Sequence, residues 1–419
     1  MTRALPALIL LAVSVQAFAA EIPDRYWPRW RGPADSGSAA IADCPVEFSS
    51  DSGHLWKVKL PGIGCSTPIV WGEHIFLTST QGGKDLALAY DWSGKLLWKT
   101  EVGAGTPGKH RNGSGSNPSI VTDGERVFAW FKSGNLTGLD FKGNILWKKN
   151  LQEEYGKVKL YWDFGTSPAL TKRDVVVAVM HGGDSYLAAF DQQTGKLSWK
   201  VARNYKVPVE CDHSYATPIV IDQDGKEAIV VWGAEHLTAH DAESGKELWS
   251  CAGFNPEEKR NWVQVASFVL DGDIAIIPYG RGARLAGIRL GGTGDVSKTN
   301  RLWTKENIGS FVPSPSLHGG KVYIVRDGGE IVCVEARTGV TVWKDRFPKH
   351  RAKFYASPTI AGSRLYVPRE DGVLLVADIS NGFKLLSENE MGERLIASPV
   401  PIGNRLLIRG EEHLYCFGR

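Results

Sequence analysis

The feature that most constrains this chain is a short pattern that recurs along it. The pattern is clearest at Asp191-Gln-Gln-Thr-Gly195-Lys-Leu-Ser-Trp199, where an acid is followed by a glycine and then by a tryptophan. Further copies lie at Asp91–Trp98, Asp140–Trp147, Asp241–Trp249 and Glu335–Trp343, with a weakened copy at Asp378–Leu386 and one interrupted by an insertion at Arg289–Trp303. A repeat of about 40 to 50 residues built from short apolar strands is typical of β-propeller blades.

A second column of residues precedes each tryptophan and gives the number of repeats. Its members are Thr67-Pro68, Asn117-Pro118, Ser167-Pro168, Thr217-Pro218, Ser314-Pro315, Ser357-Pro358 and Ser398-Pro399, with Ala266-Ser267 as a member without proline. Proline is tolerated on an edge strand, because its missing N–H costs no ladder hydrogen bond. We therefore place this column at the innermost strand of each blade. The sequence predicts an all-β fold, an eight-bladed β-propeller of four-stranded antiparallel blades.

The two ends of the repeat region complement each other. Ser52-Gly53-His54-Leu55-Trp56 matches the turn and outer strand of a repeat that lacks inner strands, whereas residues 398–417 hold three strands and no outer one. We predict that a strand within residues 50–60 closes the eighth blade beside residues 412–417, which leaves no unpaired edge at the ring closure. The predicted propeller spans residues 48–419.

The chain begins with the features of an export signal. Arg3 precedes an apolar run, and Ala17-Phe18-Ala19 forms a small-x-small cleavage site, so residues 1–19 are predicted to be a signal peptide. Residues 20–47 contain Trp27-Pro-Arg-Trp30-Arg-Gly-Pro33 and lack strand periodicity, and we interpret them as an extended arm lying on the propeller. The alternative is that Trp30 and Arg31 enter a ligand site. We expect a periplasmic or secreted protein.

Charge, hydropathy and cysteine positions exclude some classes of partner. The formal net charge of +3 is too small to indicate nucleic acid, and no later segment is long and apolar enough to span a membrane. We expect a monomer. Cys333 and Cys416 stand in a column of small residues, so we predict that they are reduced core residues. The sequence also allows one disulfide among Cys44, Cys65, Cys211 and Cys251, and it does not assign the pairing.

The predicted topology places the longer and chemically richer loops on one face of the disc. Loop residues over the channel mouth are the usual ligand contacts of such a fold. The ligand-binding candidates are His110, Arg111, Trp162, Asp163, His213, Trp262, Arg281, Arg351 and Arg394. The arginines on this face either attract carboxylates or pair with neighbouring acids. Because no two histidines have a short metal-ligand spacing, we predict no metal site.

The repeated acid–glycine–tryptophan element resembles the repeat of the pyrroloquinoline quinone (PQQ) enzyme family. That family includes the eight-bladed propellers of quinoprotein dehydrogenases and of the assembly factor BamB. Resemblance to the dehydrogenases implies a vicinal disulfide, a calcium ion, an aspartate base and a tryptophan floor. This chain has no adjacent cysteines, although Asp163 beside Trp162 is similar to the base and the floor. Resemblance to BamB implies a lipid anchor, but Ala20-Glu21-Ile22 follows the predicted cleavage site, so we expect an unanchored protein.

These observations favour an exported, non-catalytic binding or scaffolding propeller that presents one loop face to an envelope protein or an anionic polymer. No catalytic residue is assigned, and no cofactor is expected. Two alternatives stay open. One is an oxidoreductase that uses PQQ with calcium. The other is a protein that recognises or processes an anionic carbohydrate.

Overall fold

The computed structural model describes residues 25–39 and 43–418. The predicted signal peptide lies outside these ranges. The described residues form eight sheets of four or five strands, arranged as the blades of a propeller. The predicted fold class is therefore confirmed. The one helix within the described ranges is a single short turn, and no helix there is long and apolar enough to cross a membrane.

The strands follow one another blade by blade, after three strands that precede the first blade. These three are β1 (Tyr26–Trp27), β2 (Ser38–Ala39) and β3 (His54–Lys59). Blades 1 and 2 hold β4 (Ile69–Trp71), β5 (His74–Gln81), β6 (Lys84–Tyr90), β7 (Leu96–Ala104), β8 (Val121–Thr122), β9 (Arg126–Trp130), β10 (Asn135–Asp140) and β11 (Ile145–Asn150), after which comes α1 (Leu151–Tyr155). Blades 3 and 4 hold β12 (Ala169–Leu170), β13 (Asp174–Val179), β14 (Tyr186–Asp191), β15 (Leu197–Ala202), β16 (Ile219–Gln223), β17 (Lys226–Gly233), β18 (His236–Asp241) and β19 (Glu247–Cys251).

The second half of the ring has the same organisation. Blades 5 and 6 hold β20 (Val269–Asp271), β21 (Ile274–Tyr279), β22 (Arg284–Arg289), β24 (Arg301–Glu306), β25 (Ser316–His318), β26 (Lys321–Val325), β27 (Glu330–Glu335) and β28 (Thr341–Arg346). The insertion in blade 5 contains β23 (Gly294–Asp295), which pairs with β19 of blade 4. Blades 7 and 8 hold β29 (Thr359–Ala361), β30 (Arg364–Pro368), β31 (Val373–Asp378), β32 (Lys384–Glu390), β33 (Val400–Ile402), β34 (Arg405–Arg409) and β35 (His413–Phe417).

The eighth blade is completed by β3, the strand from the other end of the chain. β3 pairs antiparallel with β35, and Trp56 lies opposite Cys416 while Lys57 lies opposite Tyr415. The blade therefore has the strand order β3-β35-β34-β33. This confirms the predicted closure of the ring.

The repeated glycine and tryptophan join each blade to the next. The ring of Trp147 in blade 2 lies against Gly195 in the turn of blade 3, where an added Cβ would come within 2.5 Å of Trp147 Cδ2. Trp147 Nε1 donates to the carbonyl oxygen of Gln192 in the same turn at 2.8 Å. Gly195 also has a φ of +66°, which favours glycine. The motif thus repeats because the same contact is needed between successive blades.

A column of small residues makes room for the tryptophan of the same blade. Gly138 lies opposite Trp147, and a Cβ at Gly138 would stand 2.6 Å from Trp147 Nε1. Cys333 and Cys416 occupy this column as buried thiols, as predicted, and the four other cysteines are also unpaired. In blade 7 the column holds the larger Val376, opposite Ser387 rather than a tryptophan. The larger side chain therefore stands where the indole is missing.

The innermost strands are tied together by a ring of hydroxyl groups. The backbone N–H of Thr67 donates to Ser119 Oγ at 2.9 Å, and that of Ser119 donates to Ser167 Oγ at 3.0 Å. The same bond recurs from Ser167 to Thr217, Thr217 to Ser267, Ser267 to Ser314, Ser314 to Ser357, and Ser398 to Thr67. The hydroxyl, rather than the proline, is the shared feature. In blade 2 it belongs to Ser119, two residues beyond the predicted Asn117.

The segment 25–39 crosses the channel at the end where each innermost strand leads into the second strand of its blade. β1 pairs with β4 of blade 1, and β2 pairs with β29 of blade 7. Between them, buried Arg31 donates to the carbonyl oxygens of Pro315 and Pro358, both at 2.9 Å. This segment therefore lies across the end of the channel opposite the long loops.

Candidate functional site

A cavity of about 360 Å³ opens in the channel on the loop face. Its lower wall is formed by members of the hydroxyl ring, and Trp30 of the crossing segment also lines it. Its other aromatic walls are Trp162, Tyr215, Phe311 and Tyr355, and its remaining polar and charged groups include His110, Asn112, Asp163, Arg281 and Asp327. A mostly apolar pocket of this size with a few polar groups is typical of a small-ligand site.

A second ring of residues stands two positions before each hydroxyl and forms the upper wall. Its members are Cys65, Asn117, Gly165, Tyr215, Val265, Val312, Tyr355 and Ile396, and all of them line the cavity. The hydroxyl ring is nearly uniform, whereas this ring has a different residue type in almost every blade. Tyr215 and Tyr355 were missed in the sequence, although their fixed distance from the hydroxyl column is a signal that could have found them.

Four of the nine predicted ligand residues line this cavity, namely His110, Trp162, Asp163 and Arg281. The other five lie elsewhere. His213 and Trp262 are buried among the loops of blades 3 to 5, Arg351 is exposed, and Arg111 and Arg394 line a smaller neighbouring cavity. Of the arm residues considered as ligand contacts, Trp30 reaches the cavity and Arg31 binds the inner strands instead.

The carboxylate of Asp163 is the structural anchor of the neighbouring loop. It accepts hydrogen bonds from the backbone N–H groups of Lys109 at 2.7 Å and His110 at 2.8 Å, and from Lys132 Nζ at 2.6 Å. Gly113 packs directly against it, because a Cβ there would stand 2.2 Å from Asp163 Oδ2. With its side chain 3% exposed, this acid is committed to holding residues 108–113 in place.

Three rings held by this anchor form an aromatic platform, which we define as His110, Tyr161 and Trp162. Tyr161 is 50% exposed and Trp162 45% exposed. The indole of Trp162 meets His110 edge to face at a centroid distance of 5.1 Å and Tyr161 at 4.7 Å. Lys109 Nζ lies 4.1 Å from the centre of the Tyr161 ring, within cation–π range. The platform therefore projects rigid aromatic surface beside an ammonium group.

The wall opposite the platform carries one acidic side chain, Asp327, and one cationic side chain, Arg281. Asp327 Oδ1 accepts from the backbone N–H groups of Phe311 at 3.3 Å and Val312 at 3.2 Å, and burial raises the pKa of this carboxyl above its ordinary value. The guanidinium of Arg281 lies 4.3 Å from the centre of the Phe311 ring. Burial also raises the pKa of Tyr355 above its ordinary value, which is already well above neutral pH, so its hydroxyl is protonated. This wall can therefore offer a cation and a phenolic donor to a ligand.

Sequence comparison identifies the family. The family described as outer membrane protein assembly factor BamB matches residues 46–203, 142–296 and 293–409. The chain belongs to the BamB family. A BamB from Moranella endobia (strain PCIT) is 23% identical over 357 residues, which are 83% of this chain and 84% of that protein.

Two solved structures show how widely this BamB-family fold is shared. The crystal structure of BamB from Moraxella catarrhalis has a TM-score of 0.61 at 15% identity and covers 87% of this chain and 99% of its own. A europium-containing methanol dehydrogenase has a TM-score of 0.72 at 12% identity and covers 95% and 99%, respectively. At these identities the similarity establishes the propeller fold.

The similarity to a dehydrogenase raises the question of whether this BamB-family cavity fits PQQ with calcium. Within the described ranges, no group of three or more His, Cys, Asp or Glu side chains is placed to hold a metal ion. Asp163 is already bound by Lys132 and two backbone N–H groups. Among the described residues, Arg281 is the one arginine that lines the cavity, and Cys65 is the one cysteine there and is unpaired. The residues present therefore do not match the cofactor set that the resemblance implied.

Both predicted outcomes for the arginines of the loop face occur. Five pair with acids: Arg284 with Glu257 at 2.7 Å, Arg326 with Glu330 at 2.5 Å, Arg369 with Asp371 at 2.8 Å, Arg111 with Glu370 at 2.9 Å and, more loosely, Arg394 with Glu411 at 3.9 Å. Arg281, Arg351 and Arg409 have no ion pair with the described residues. Three of these eight arginines are thus left without an acid partner among the described residues.

Proposed function

We propose that this BamB-family propeller is an exported binding protein of the cell envelope, and that its loop face docks a partner protein. The observation that carries the proposal is the use of Asp163. The one acid that stands beside the exposed tryptophan is engaged in holding up the aromatic platform, as a scaffold for binding requires. A catalytic base would need free lone pairs at the channel mouth.

The composition of the loop face supports a protein partner. Exposed, rigidly held tryptophan and tyrosine are enriched among the residues that dominate protein–protein binding energy. Lys109 adds positive charge beside the platform, and Arg281 and Arg351 add it elsewhere on the loop face, so a partner segment with acidic residues next to an apolar side chain would be complementary. The family description and the BamB relatives point to outer membrane protein assembly as the setting, and the predicted signal peptide supports export.

The test is a pull-down from the envelope fraction with two matched variants. The loop-face variant carries Trp162→Ala, Arg281→Ala and Arg351→Ala, whereas the control carries Val340→Ala, Lys142→Ala and Lys196→Ala at exposed positions on the opposite face. Each replaces one apolar and two basic side chains. Wild type and control should retain the same partner, and the loop-face variant should recover at least tenfold less. Equal recovery by both variants, at matched melting temperatures, would remove the loop face from the proposal.

A further inference from the structure

The wall of the main cavity opposite the platform holds two opposite charges that do not pair with each other. Arg281 and Asp327 both line the cavity, and both lie beside Phe311. Neither side chain forms an ion pair with the described residues. We propose that this cavity binds a small zwitterion, a free amino acid with an apolar side chain. Its ammonium group would lie at Asp327, its carboxylate at Arg281 and its side chain against the aromatic walls.

Asp327 has one carboxylate oxygen available to a ligand. Its Oδ1 accepts hydrogen bonds from the backbone N–H groups of Phe311 at 3.3 Å and Val312 at 3.2 Å. Its Oδ2 accepts no hydrogen bond from the described residues, yet it is not fully enclosed and keeps accessible surface. Burial raises the pKa of this carboxyl, because the surrounding protein compensates its charge poorly. An ammonium group at Oδ2 would supply the cation that the protein does not.

Arg281 offers hydrogen-bond donors on the same wall. Its Nη1 donates to the carbonyl oxygen of Asn261 at 3.1 Å, and the guanidinium carbon lies 4.3 Å from the centre of the Phe311 ring. These contacts hold the guanidinium in place without using an acid, so its other N–H groups are free for a ligand. A guanidinium is suited to bidentate binding of a carboxylate.

The two charges together select a ligand that carries both signs. A simple cation would bind near the guanidinium of Arg281, and a simple anion would bind near the carboxylate of Asp327, because both groups line one cavity. Each of these placements brings like charges together and disfavours binding. A molecule with an ammonium group and a carboxylate compensates both side chains at once. The alternative is that Arg281 swings round to pair with Asp327, which would leave neither charge for a ligand.

The rest of the cavity suits the apolar side chain of such a ligand. Its aromatic and aliphatic walls come from the crossing segment and from most of the blades, namely from Trp30, Trp162, Tyr215, Val265, Phe311, Val312, Tyr355 and Ile396. An ammonium group close to aromatic rings also gains cation–π attraction. The volume of about 360 Å³ lies near the lower end of the range for ligand pockets, so a molecule of the size of one amino acid fits.

The experiment titrates the purified protein with a matched series of ligands and follows binding by calorimetry. L-Phenylalanine carries all three features. Phenethylamine lacks the carboxylate, 3-phenylpropionate lacks the ammonium group, and glycine lacks the apolar side chain. We expect saturable binding of L-phenylalanine and binding about tenfold weaker, or less, for each of the other three. Each analogue loses one charge-assisted contact or the burial of its ring.

Two variants assign the two ends of the ligand. Asp327→Asn should weaken the binding of L-phenylalanine and phenethylamine about tenfold and should not weaken that of 3-phenylpropionate. Arg281→Gln should weaken L-phenylalanine and 3-phenylpropionate and should not weaken phenethylamine. Glu257→Gln and Arg346→Gln neutralise an acid and an arginine that do not line the cavity, and they should bind like the wild type.

The test remains decisive if Asp327→Asn fails to fold, because Arg281 is an exposed residue and its replacement by glutamine leaves the fold intact. The proposal is overturned if L-phenylalanine does not bind the wild type, if any analogue binds as tightly, or if Arg281→Gln binds all four ligands unchanged. No partner protein takes part in this measurement. Its failure would therefore leave the docking proposal standing, and failure of the pull-down would leave this one standing.

Discussion

The two faces of the disc use the same repeat for different purposes. On the turn face, which carries the tight turns before the outer strands, the motif glycine of five blades lies under the tryptophan of the preceding blade: Gly94 under Trp56, Gly143 under Trp98, Gly195 under Trp147, Gly245 under Trp199 and Gly339 under Trp303. On the loop face, the ring two positions before the hydroxyl column changes from tyrosine to valine, isoleucine, cysteine or glycine between blades. The comparison teaches that residues which recur in register hold the blades together, whereas residues which vary in register shape the cavity.

The largest expected effect comes from removing one of the repeated tryptophans that join neighbouring blades. Trp147→Ala removes a buried indole and its hydrogen bond to Gln192, and we expect a loss of roughly 3 to 5 kcal/mol in the free energy of unfolding, measured by chemical denaturation. The matched control is Trp162→Ala on the loop face, where the indole is 45% exposed. This control should cost less than about 1 kcal/mol. Equal losses would contradict the division of roles between the two faces.

A smaller loss is expected when the anchor of the loop face is removed. Asp163→Ala leaves Lys132 and two backbone N–H groups without their acceptor, and we expect a cost of about 2 to 4 kcal/mol. Amide hydrogen exchange should rise in residues 108–113, with little change at the turns of blades 3 and 4. Asp163→Asn, which keeps one acceptor, should give an intermediate effect. Unchanged exchange in this loop would show that Asp163 does not hold it.

The turn face should also respond to pH through His240 in blade 4. Its imidazole is buried and bonded to the Gly245 carbonyl oxygen and Thr238 Oγ1, and burial lowers its pKa to about 4. The folded state therefore binds a proton less readily than the unfolded state, so stability should fall as the pH drops from about 6.5 to 4. The loss is at most about 3 kcal/mol. His240→Gln should flatten this part of the pH–stability curve, and an unaltered curve would contradict the assignment.

The smallest expected effect is on cofactor addition. Because the cavity has one lining arginine and no metal-ligand cluster within the described ranges, PQQ with calcium should leave the tryptophan fluorescence of the wild-type protein unchanged. Trp30 and Trp162 both line the cavity and would report an occupant directly. Saturable quenching at micromolar PQQ would support the oxidoreductase alternative over the binding protein.

The sequence alone determined the features that depend on the repeat. The spacing of acid, glycine and tryptophan predicted eight blades, the closure of the last blade by the strand around Trp56, and the buried thiols of Cys333 and Cys416. These are correct because each repeat makes the same local contact with its neighbour, so a periodic sequence encodes a periodic structure. The alignment was displaced in two blades: the hydroxyl belongs to Ser119 rather than to Asn117 in blade 2, and to Ser267 rather than to Ala266 in blade 5.

The tertiary structure decided what each loop does at the channel mouth. Asp163 is bound by Lys132 rather than by an arginine. Arg111, between blades 1 and 2, reaches Glu370 in blade 7, and Trp30 of the segment before the first blade lines the cavity. None of these partners stands at a repeated distance along the sequence. Closing the ring brings loops from all eight blades to one axis, and side-chain length and packing at that axis determine which charges meet. Arg409 bonds to Ser66 and has no acid partner among the described residues.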